Sequence, residues 1–164
     1  MRHAPELTSG YSARIELPFA VVGVRTRNEH LTGLEYLPRG VAALMPCDAI
    51  SKEVTRQLKA FVRDVHFRFD LPYEIQGTDF QQRVWEQIGL IPRGSTKSYG
   101  AVAKSIATSA RAVGTCCGAN RLPLLIPCHR VVAANGIGGF MHTRNEGDAL
   151  NIKRWLLRHE GVIV

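Results

Sequence analysis

A cysteine, a histidine and an arginine stand side by side in an otherwise apolar run, LIPCHRVV, at 125–132. A cysteine thiol acts as a nucleophile only as the thiolate, and a pKa of about 8.5 leaves roughly a few per cent in that form at neutral pH. An adjacent imidazole can accept the proton, and a nearby cation can stabilise the anion. Cys128, followed by His129 and Arg130, is therefore a candidate nucleophile. A core cysteine beside charges at a strand end is the alternative.

The route of the thiol proton depends on the local backbone and on a partner for the histidine. If Cys128 lies on a strand, the side chain of His129 points to the opposite face. A bridging water, or a bend at Pro127, would then be needed to connect them. A histidine base also needs a group that orients its ring, and Glu160 is a candidate.

The segments around the cysteine are predicted to be helices joined by short turns. Thr78 and Gln81 have capping-box spacing, and an apolar stripe at helical spacing follows them. After the cysteine, Asn135-Gly136 predicts a turn. A last amphipathic helix over 149–159 is followed by Gly161 in the position that favours glycine. Cys128 itself is predicted to lie on a short strand or hairpin.

Two short helices precede the cysteine. Ser98 can cap a helix that runs through 106, residues 107–109 predict a turn, and a second helix follows over 110–119. This order matches a helix-turn-helix. The outer face of the second helix consists of Arg111, Gly114, Thr115 and Gly118. Each glycine costs a helix roughly 1 kcal/mol relative to alanine, so we expect either a DNA minor groove or a neighbouring helix to approach this backbone closely.

The first part of the chain has a different pattern. Residues 14–37 are rich in Val, Ile and Leu, with turn-like residues at 27–29 and Gly33, and predict two or three antiparallel strands. Apolar positions at helical spacing over 49–67 predict one helix. We expect a sheet-and-helix domain over 1–76 and a mostly helical domain over 77–164. The predicted fold class is therefore α/β, of the α+β type.

Charge separates the two parts. Residues 77–164 carry 11 Lys and Arg against 5 Asp and Glu, whereas residues 1–76 carry 10 against 9. Such a basic half favours a polyanion such as DNA as the partner, although charge also serves solubility.

The number and spacing of the cysteines and the hydropathy of the chain indicate its cellular compartment. Four cysteines, two of them adjacent (Cys116 and Cys117), do not resemble a disulfide framework in a chain of 164 residues. Their spacing with Cys128 also lacks the paired cysteines of zinc sites. No stretch has 18 consecutive apolar residues, and no secretory leader is evident. We expect no membrane association and a cytoplasmic protein, at the nucleoid or, in a eukaryote, in the nucleus.

Several ordered motifs resemble those of the O6-alkylguanine-DNA alkyltransferases, also called methylated-DNA–protein-cysteine methyltransferases. They are Pro127-Cys128-His129-Arg130-Val131, Asn120, Arg111-Ala112-Val113-Gly114, Ser98-Tyr99, Gly77-Thr78-Asp79-Phe80-Gln81 with Val84-Trp85, and Lys153, Trp155-Leu156-Leu157 and His159-Glu160-Gly161. The close resemblance covers about 70–140 and 150–161.

The resemblance implies a chemistry for these residues. Cys128 would take the alkyl group from O6 of guanine, and also from O4 of thymine. His129 would accept the thiol proton through a water and Glu160 would hold the imidazole. Asn120 would fix the turn before the cysteine, and Tyr99 would help guanine to leave. The thioether product makes the protein its own acceptor, so it acts once and needs no cofactor.

The resemblance also implies a DNA surface and a pocket. The second helix would enter the minor groove of duplex DNA that contains O6-alkylguanine, with Arg111 filling the space of the flipped nucleotide. The implied DNA-binding residues are Arg111, Ala112, Gly114, Thr115, Gly118, Ser98 and Arg130. The implied pocket residues are Tyr99, Phe140, Met141 and Lys153. We expect a monomer, with cooperative association on DNA left open.

The chain departs from the family pattern at Phe140 and Met141, where a Tyr and a small residue are usual, so the alkyl preference stays open. Cys47 is the only cysteine of the N-terminal part, so no structural zinc is expected. Two other functions compete: a helix-turn-helix protein that binds lesions without transfer, and a Cys-His hydrolase unrelated to DNA. The first would not need Cys128, and the second does not explain the basic half.

Overall fold

The computed structural model describes residues 10–140 and 148–163. It divides the chain into two compact units, Met1–Ile75 and Gln76–Val164, one residue before the boundary expected from the sequence. The mixed α and β composition confirms the predicted fold class. Among the described residues, none of the helices has the length and apolar character needed to cross a membrane.

The first unit contains a three-stranded antiparallel sheet in the order β1-β2-β3, with β1 over Ala13–Leu17, β2 over Ala20–Arg27 and β3 over His30–Leu37. Asn28 and Glu29 both have positive φ in the turn between β2 and β3, as two-residue hairpins require. The prediction of a turn at Gly33 was wrong. Gly33 lies inside β3 opposite Arg25, beside a register shift between Arg25 and Thr26, because a bulge tolerates glycine as readily as a turn does.

Helix α1 of the first unit spans Ala49–Arg63, shorter than the predicted 49–67. Asp48 and Ser51 form a capping box at its start, and the helix ends with the backbone of Asp64 in an extended conformation. Val54, Leu58 and Phe61 are its buried apolar residues. Helical spacing of apolar residues therefore predicted the buried stripe, while the end of the helix was set by the backbone at Asp64.

In the second unit, α2 spans Asp79–Gly89 and the capping box of Thr78 with Gln81 is present. Val84, Trp85 and Ile88 are buried. The Trp85 indole N–H donates to the carbonyl of Cys116 at 2.9 Å. A Cβ at Gly77 would lie 2.5 Å from the Trp85 ring, so only glycine lets the chain pass this indole.

The predicted helix-turn-helix is formed by α3, Tyr99–Ser105, and α4, Ala110–Gly118. Ser98 and Ser109 cap the two helices through their hydroxyl oxygens. The turn is a Schellman motif: Thr108 N–H donates to Ala103 at 3.0 Å and Ala107 N–H to Lys104 at 3.4 Å. Ala107, at the position that favours glycine, has a φ of 54°.

We expect Ala107→Gly to stabilise the second unit by about 0.5–1 kcal/mol. The substitution removes the steric cost of a left-handed alanine, and the greater freedom of glycine in the unfolded chain offsets part of that gain. Urea unfolding of the two variants measures the difference. Ala101→Gly, at an exposed position inside α3, is the matched control and should destabilise by about 1 kcal/mol. A loss of stability in Ala107→Gly would contradict the account of this turn.

The backbone at the candidate nucleophile differs from the prediction. Cys128 does not lie on a strand, because Cys128–Arg130 form one turn of 3-10 helix. The strand β5, Val131–Val132, begins only after this turn and pairs in parallel with β4, Lys97–Ser98. Pro127 lacks the N–H that a strand ladder would use, and the Arg130 N–H closes the turn onto the Pro127 carbonyl at 2.9 Å.

The last helix, α5, spans Asp148–His159. It also ends in a Schellman motif: Val162 N–H donates to Leu157 and Gly161 N–H to Arg158. Gly161 has a φ of 88°, which confirms its predicted role after the helix. This ending places Glu160 at the helix terminus, where its side chain turns toward Cys128–Arg130.

Candidate active site

The Cys128 thiol is buried, with 5% of the residue exposed, and Asn120 holds it. The side-chain amide of Asn120 donates to Cys128 Sγ at 3.2 Å and to the carbonyl of Ile126 at 2.9 Å, while its oxygen accepts the N–H of Leu122 at 2.9 Å. Asn120 therefore fixes the turn before the cysteine, as the resemblance implied, and also places an N–H on the sulfur.

His129 and Glu160 form a buried pair, with 2.7 Å between His129 Nε2 and Glu160 Oε1. Burial raises the pKa of Glu160, but hydrogen bonds from His129 and Arg130 outweigh it and bring that pKa to about 2. Burial lowers the pKa of His129, against the opposing effect of Glu160. A carboxylate can only accept, so Nε2 carries the hydrogen and Nδ1 is left as the basic nitrogen.

The resemblance found in the sequence assigned Arg130 to the DNA-binding residues. The structure corrects this prediction, because the Arg130 side chain binds Glu160. Its guanidinium is 14% exposed and binds both carboxylate oxygens of Glu160, at 2.7 Å for the Nη2 contact. Nη1 donates to the carbonyl of Ile91 at 2.8 Å. One turn of 3-10 helix brings both Arg130 and His129 to the same carboxylate, which sequence spacing could not indicate.

Lys153, Tyr99 and Phe140 lie together on another side of the site. The Lys153 ammonium is buried and donates to the carbonyls of Val131 at 2.7 Å and Gly139 at 2.8 Å. Tyr99 Oη also donates to the Gly139 carbonyl, at 3.0 Å. The ammonium lies 5.7 Å from the centre of the Tyr99 ring and 5.9 Å from that of Phe140. Met141, the fourth predicted pocket residue, lies outside the described residues.

Burial lowers the pKa of Lys153 to about 8, despite the opposing effect of the nearby thiols. The Lys153 ammonium is therefore a cation near the candidate nucleophile. Within 10–140 and 148–163, no three His, Cys, Asp or Glu side chains are grouped in the way that a metal ion requires.

Cys117 is a site residue that sequence reasoning missed. The Cys117 thiol and burial raise the pKa of Cys128, whereas the hydrogen bond from Asn120 and the charge of Lys153 lower it. The Cys128 thiol is therefore protonated at rest and needs a base. The position of Cys117 three residues before Asn120, whose N–H donates to the Cys117 carbonyl at 3.2 Å, was the available signal.

The residues predicted to face DNA lie on α4 and at the start of α3. Arg111 and Thr115 are exposed, and Ala112, Gly114, Gly118 and Ser98 are half-buried. Val113 and Cys116 form the buried side of α4. Arg111 is therefore open to solvent, on a face of α4 whose small residues are exposed or half-buried.

The ion pairs of Glu160 predict a pH dependence of stability. Because its folded pKa of about 2 lies below the value of 4.5 for a free side chain, the stabilisation is complete above pH ~5 and is lost as the pH falls toward 2. The loss should approach roughly 3 kcal/mol. His129, whose pKa is also lowered, adds to the decline below pH ~6.5.

Urea unfolding between pH 3 and 7 tests this dependence on Glu160→Gln. That variant should be less stable at pH 7 by about 3–5 kcal/mol, because His129 and Arg130 lose their partner, and its stability should depend less on pH. Glu86→Gln, an exposed carboxylate on α2, is the matched control. Equal pH slopes for wild type and Glu160→Gln would contradict the assignment.

The fold and the site together define a class: a helix-turn-helix unit that carries a buried cysteine, the candidate nucleophile, next in sequence to a buried His–Glu pair. Residues 79–162 match the family model for the DNA binding domain of 6-O-methylguanine DNA methyltransferase. The chain belongs to the O6-methylguanine DNA methyltransferase family, which confirms the resemblance found in the sequence.

Relatives agree with this assignment. A methylated-DNA–protein-cysteine methyltransferase of Archaeoglobus fulgidus is 39% identical over 110 residues, which are 67% of this chain and 75% of the relative. One from Mycobacterium bovis is 42% identical over 107 residues, 63% of this chain and 61% of the relative. The crystal structure of Mycobacterium tuberculosis OGT in complex with DNA is similar with a TM-score of 0.73 and 34% identity, covering 90% of each chain.

Proposed function

We propose that this protein repairs DNA by transferring the alkyl group of O6-alkylguanine to its own Cys128, once and irreversibly. O4-alkylthymine is a second expected substrate. Family membership supports alkyl transfer to a protein cysteine. The observation that carries the assignment to Cys128 is its buried thiol, bound by Asn120 at 3.2 Å and adjacent in sequence to the His129–Glu160 pair.

The transfer is a displacement at the alkyl carbon. Nδ1 of His129 accepts the Cys128 proton through a water, and the Glu160 carboxylate stabilises the resulting imidazolium. The sulfur then attacks the alkyl carbon, the carbon–O6 bond breaks, and guanine leaves after receiving a proton. The Asn120 N–H and the Lys153 ammonium stabilise the sulfur while it carries charge. The product is a thioether, and no group at the site can reverse it.

Guanine inside a duplex cannot present O6 to a buried thiol, so the nucleotide must be flipped out, at a cost of roughly a few kcal/mol. We assign the exposed face of α4 to the minor groove and Arg111 to the space that the nucleotide leaves. Small residues around Arg111 let the backbone approach the groove. They make few contacts with the edges of the bases, so binding depends little on the DNA sequence. The basic charge of residues 77–164 supports binding to phosphates.

The assembly and compartment follow from the same chemistry. One thiol reacts with one flipped base, so we propose that a monomer is sufficient. A thiol that must stay reduced and must meet DNA favours the cytoplasm with its nucleoid, or a nucleus.

Intact mass after mixing with a short duplex that contains O6-methylguanine tests the proposal. We expect the protein to gain one methyl group, on Cys128 by peptide mapping, and the same duplex with unmodified guanine to give no change. Binding of the lesion duplex without a gain in mass would favour a lesion-binding protein. Repeated turnover of a small ester, without methyl gain, would favour a hydrolase.

A further inference from the structure

Arg130 makes more contacts with the Glu160 carboxylate than His129 does, although the proposed reaction gives it no step. Its Nη2 donates to Oε2 at 2.7 Å, and its Nε lies 3.0 Å from Oε1 and 3.1 Å from Oε2. Nη1 donates to the carbonyl of Ile91, just after α2, at 2.8 Å. The guanidinium therefore fixes the carboxylate at the end of α5 against the chain that follows α2.

This arrangement determines how the carboxylate meets His129. Oε2 of Glu160 accepts from Nη2 and Nε of Arg130, and Oε1 accepts from Nε2 of His129 at 2.7 Å. A proton on either oxygen would face an N–H of Arg130, so the group stays ionised and can only accept. His129 must then donate through Nε2, which leaves Nδ1 as the nitrogen that can take the thiol proton.

Arg130 also balances the charge of this buried pair. A carboxylate partner favours the protonated form of a histidine, and a nearby cation opposes it. The pKa of His129 is lowered, by burial above all, and the charges of Arg130 and Lys153 add to this effect whereas Glu160 opposes it. These are the charged side chains that act on the ring from the 3-10 turn and from α5, and Arg130 is the one that touches the carboxylate.

We propose that Arg130 is a positioning residue for alkyl transfer: its guanidinium holds the Glu160 carboxylate for His129 and keeps this buried pair from taking up a proton from solvent. Such a proton would occupy the imidazole or the carboxylate, and in either place it would weaken His129 as the base for Cys128. Removal of the cation favours this uptake wherever the proton resides. The inference rests on the proposed function, because it concerns the base of that reaction.

The pH dependence of single-turnover alkyl transfer, with the O6-methylguanine duplex as substrate, tests this role. For each protein the rate at pH 6 is divided by its own rate at pH 7.5, where the Lys153 ammonium is still mostly charged, so a general loss of activity cancels. This ratio should fall about tenfold in Arg130→Met relative to wild type. Arg130→Lys, which keeps the cation, should restore it to within about threefold. Arg121→Met, at an exposed position, should leave it unchanged.

Nuclear magnetic resonance of labelled histidine side chains tests the same role without DNA or transfer. The titration midpoint of His129, assigned with His129→Gln, should move to higher pH in Arg130→Met and stay in place in Arg121→Met. Arg130→Gln repeats both measurements if the methionine variant does not fold. An unchanged midpoint or an unchanged ratio on removal of the cation would overturn the proposal, as would a failure of Arg130→Lys to restore them. A shifted midpoint in a protein without any alkyl transfer would support the effect of Arg130 on the pair and reject the proposed function.

Discussion

Cys128→Ala is expected to abolish alkyl transfer completely while it leaves the affinity for a lesion duplex within about twofold of wild type. In the proposed reaction this thiol is the group that forms the thioether. In the proposed complex, DNA affinity comes from phosphate contacts and the α4 face, which a buried sulfur does not touch. Intact mass measures the transfer, and fluorescence anisotropy with a labelled O6-methylguanine duplex measures the affinity.

Cys47→Ala is the matched control for this prediction. Cys47 is an exposed cysteine of the first unit, so its removal should change neither transfer nor affinity. If Cys128→Ala still converted O6-methylguanine to guanine in the duplex, Cys128 would be the wrong nucleophile. If it lost affinity together with transfer, the thiol would have a binding role that the structure does not indicate.

Arg111→Ala is expected to slow repair of duplex DNA by about 100-fold while it slows the reaction with free O6-benzylguanine by less than about threefold. A flipped nucleotide costs a few kcal/mol, and a side chain that fills its place recovers roughly 2–3 kcal/mol of that cost. A free base needs no flipping, so its reaction does not depend on the exposed arginine. Single-turnover rates of protein modification with each substrate measure the two effects.

Arg83→Ala removes the same charge from an exposed position on α2 and is the control for a general loss of phosphate attraction. It should affect duplex repair only slightly, and the effect should shrink at higher salt. Equal losses on the duplex and the free base would show that Arg111 supports the structure of the site. A loss no larger than that of Arg83→Ala would make Arg111 an ordinary phosphate contact.

The sequence correctly predicted those features that depend on interactions between residues close together in the chain. The caps at Thr78, Ser98 and Gly161 were correct because a capping hydrogen bond or a left-handed glycine involves only residues within one turn of the chain. The turn at Asn28-Glu29 followed for the same reason, and of the two or three strands expected around it the structure has three. Gly33 was wrong because a glycine permits both a turn and a bulge, and only the pairing of neighbouring strands decides between them.

The candidate site was predictable in its residues but not in its geometry. Motif resemblance identified Cys128, His129, Glu160 and Asn120. It could not indicate the 3-10 turn, which depends on a hydrogen bond to the Pro127 carbonyl and on the packing of Cys128 in the core. With that turn, Arg130 reaches Glu160 instead of DNA, because a buried carboxylate is stabilised by a cation that shares its burial.

The amino-acid sequence by itself determined the family, the division into a sheet-bearing and a helical part, the helix-turn-helix and the candidate nucleophile, since each depends on residue types at short or fixed spacing. Tertiary structure alone decided which side chains share the site. Glu160 lies 31 residues from His129 along the chain, and its contact at 2.7 Å exists because α5 packs against the 3-10 turn. Contacts between distant residues depend on how helices pack, and packing is a property of the whole core that no local pattern encodes.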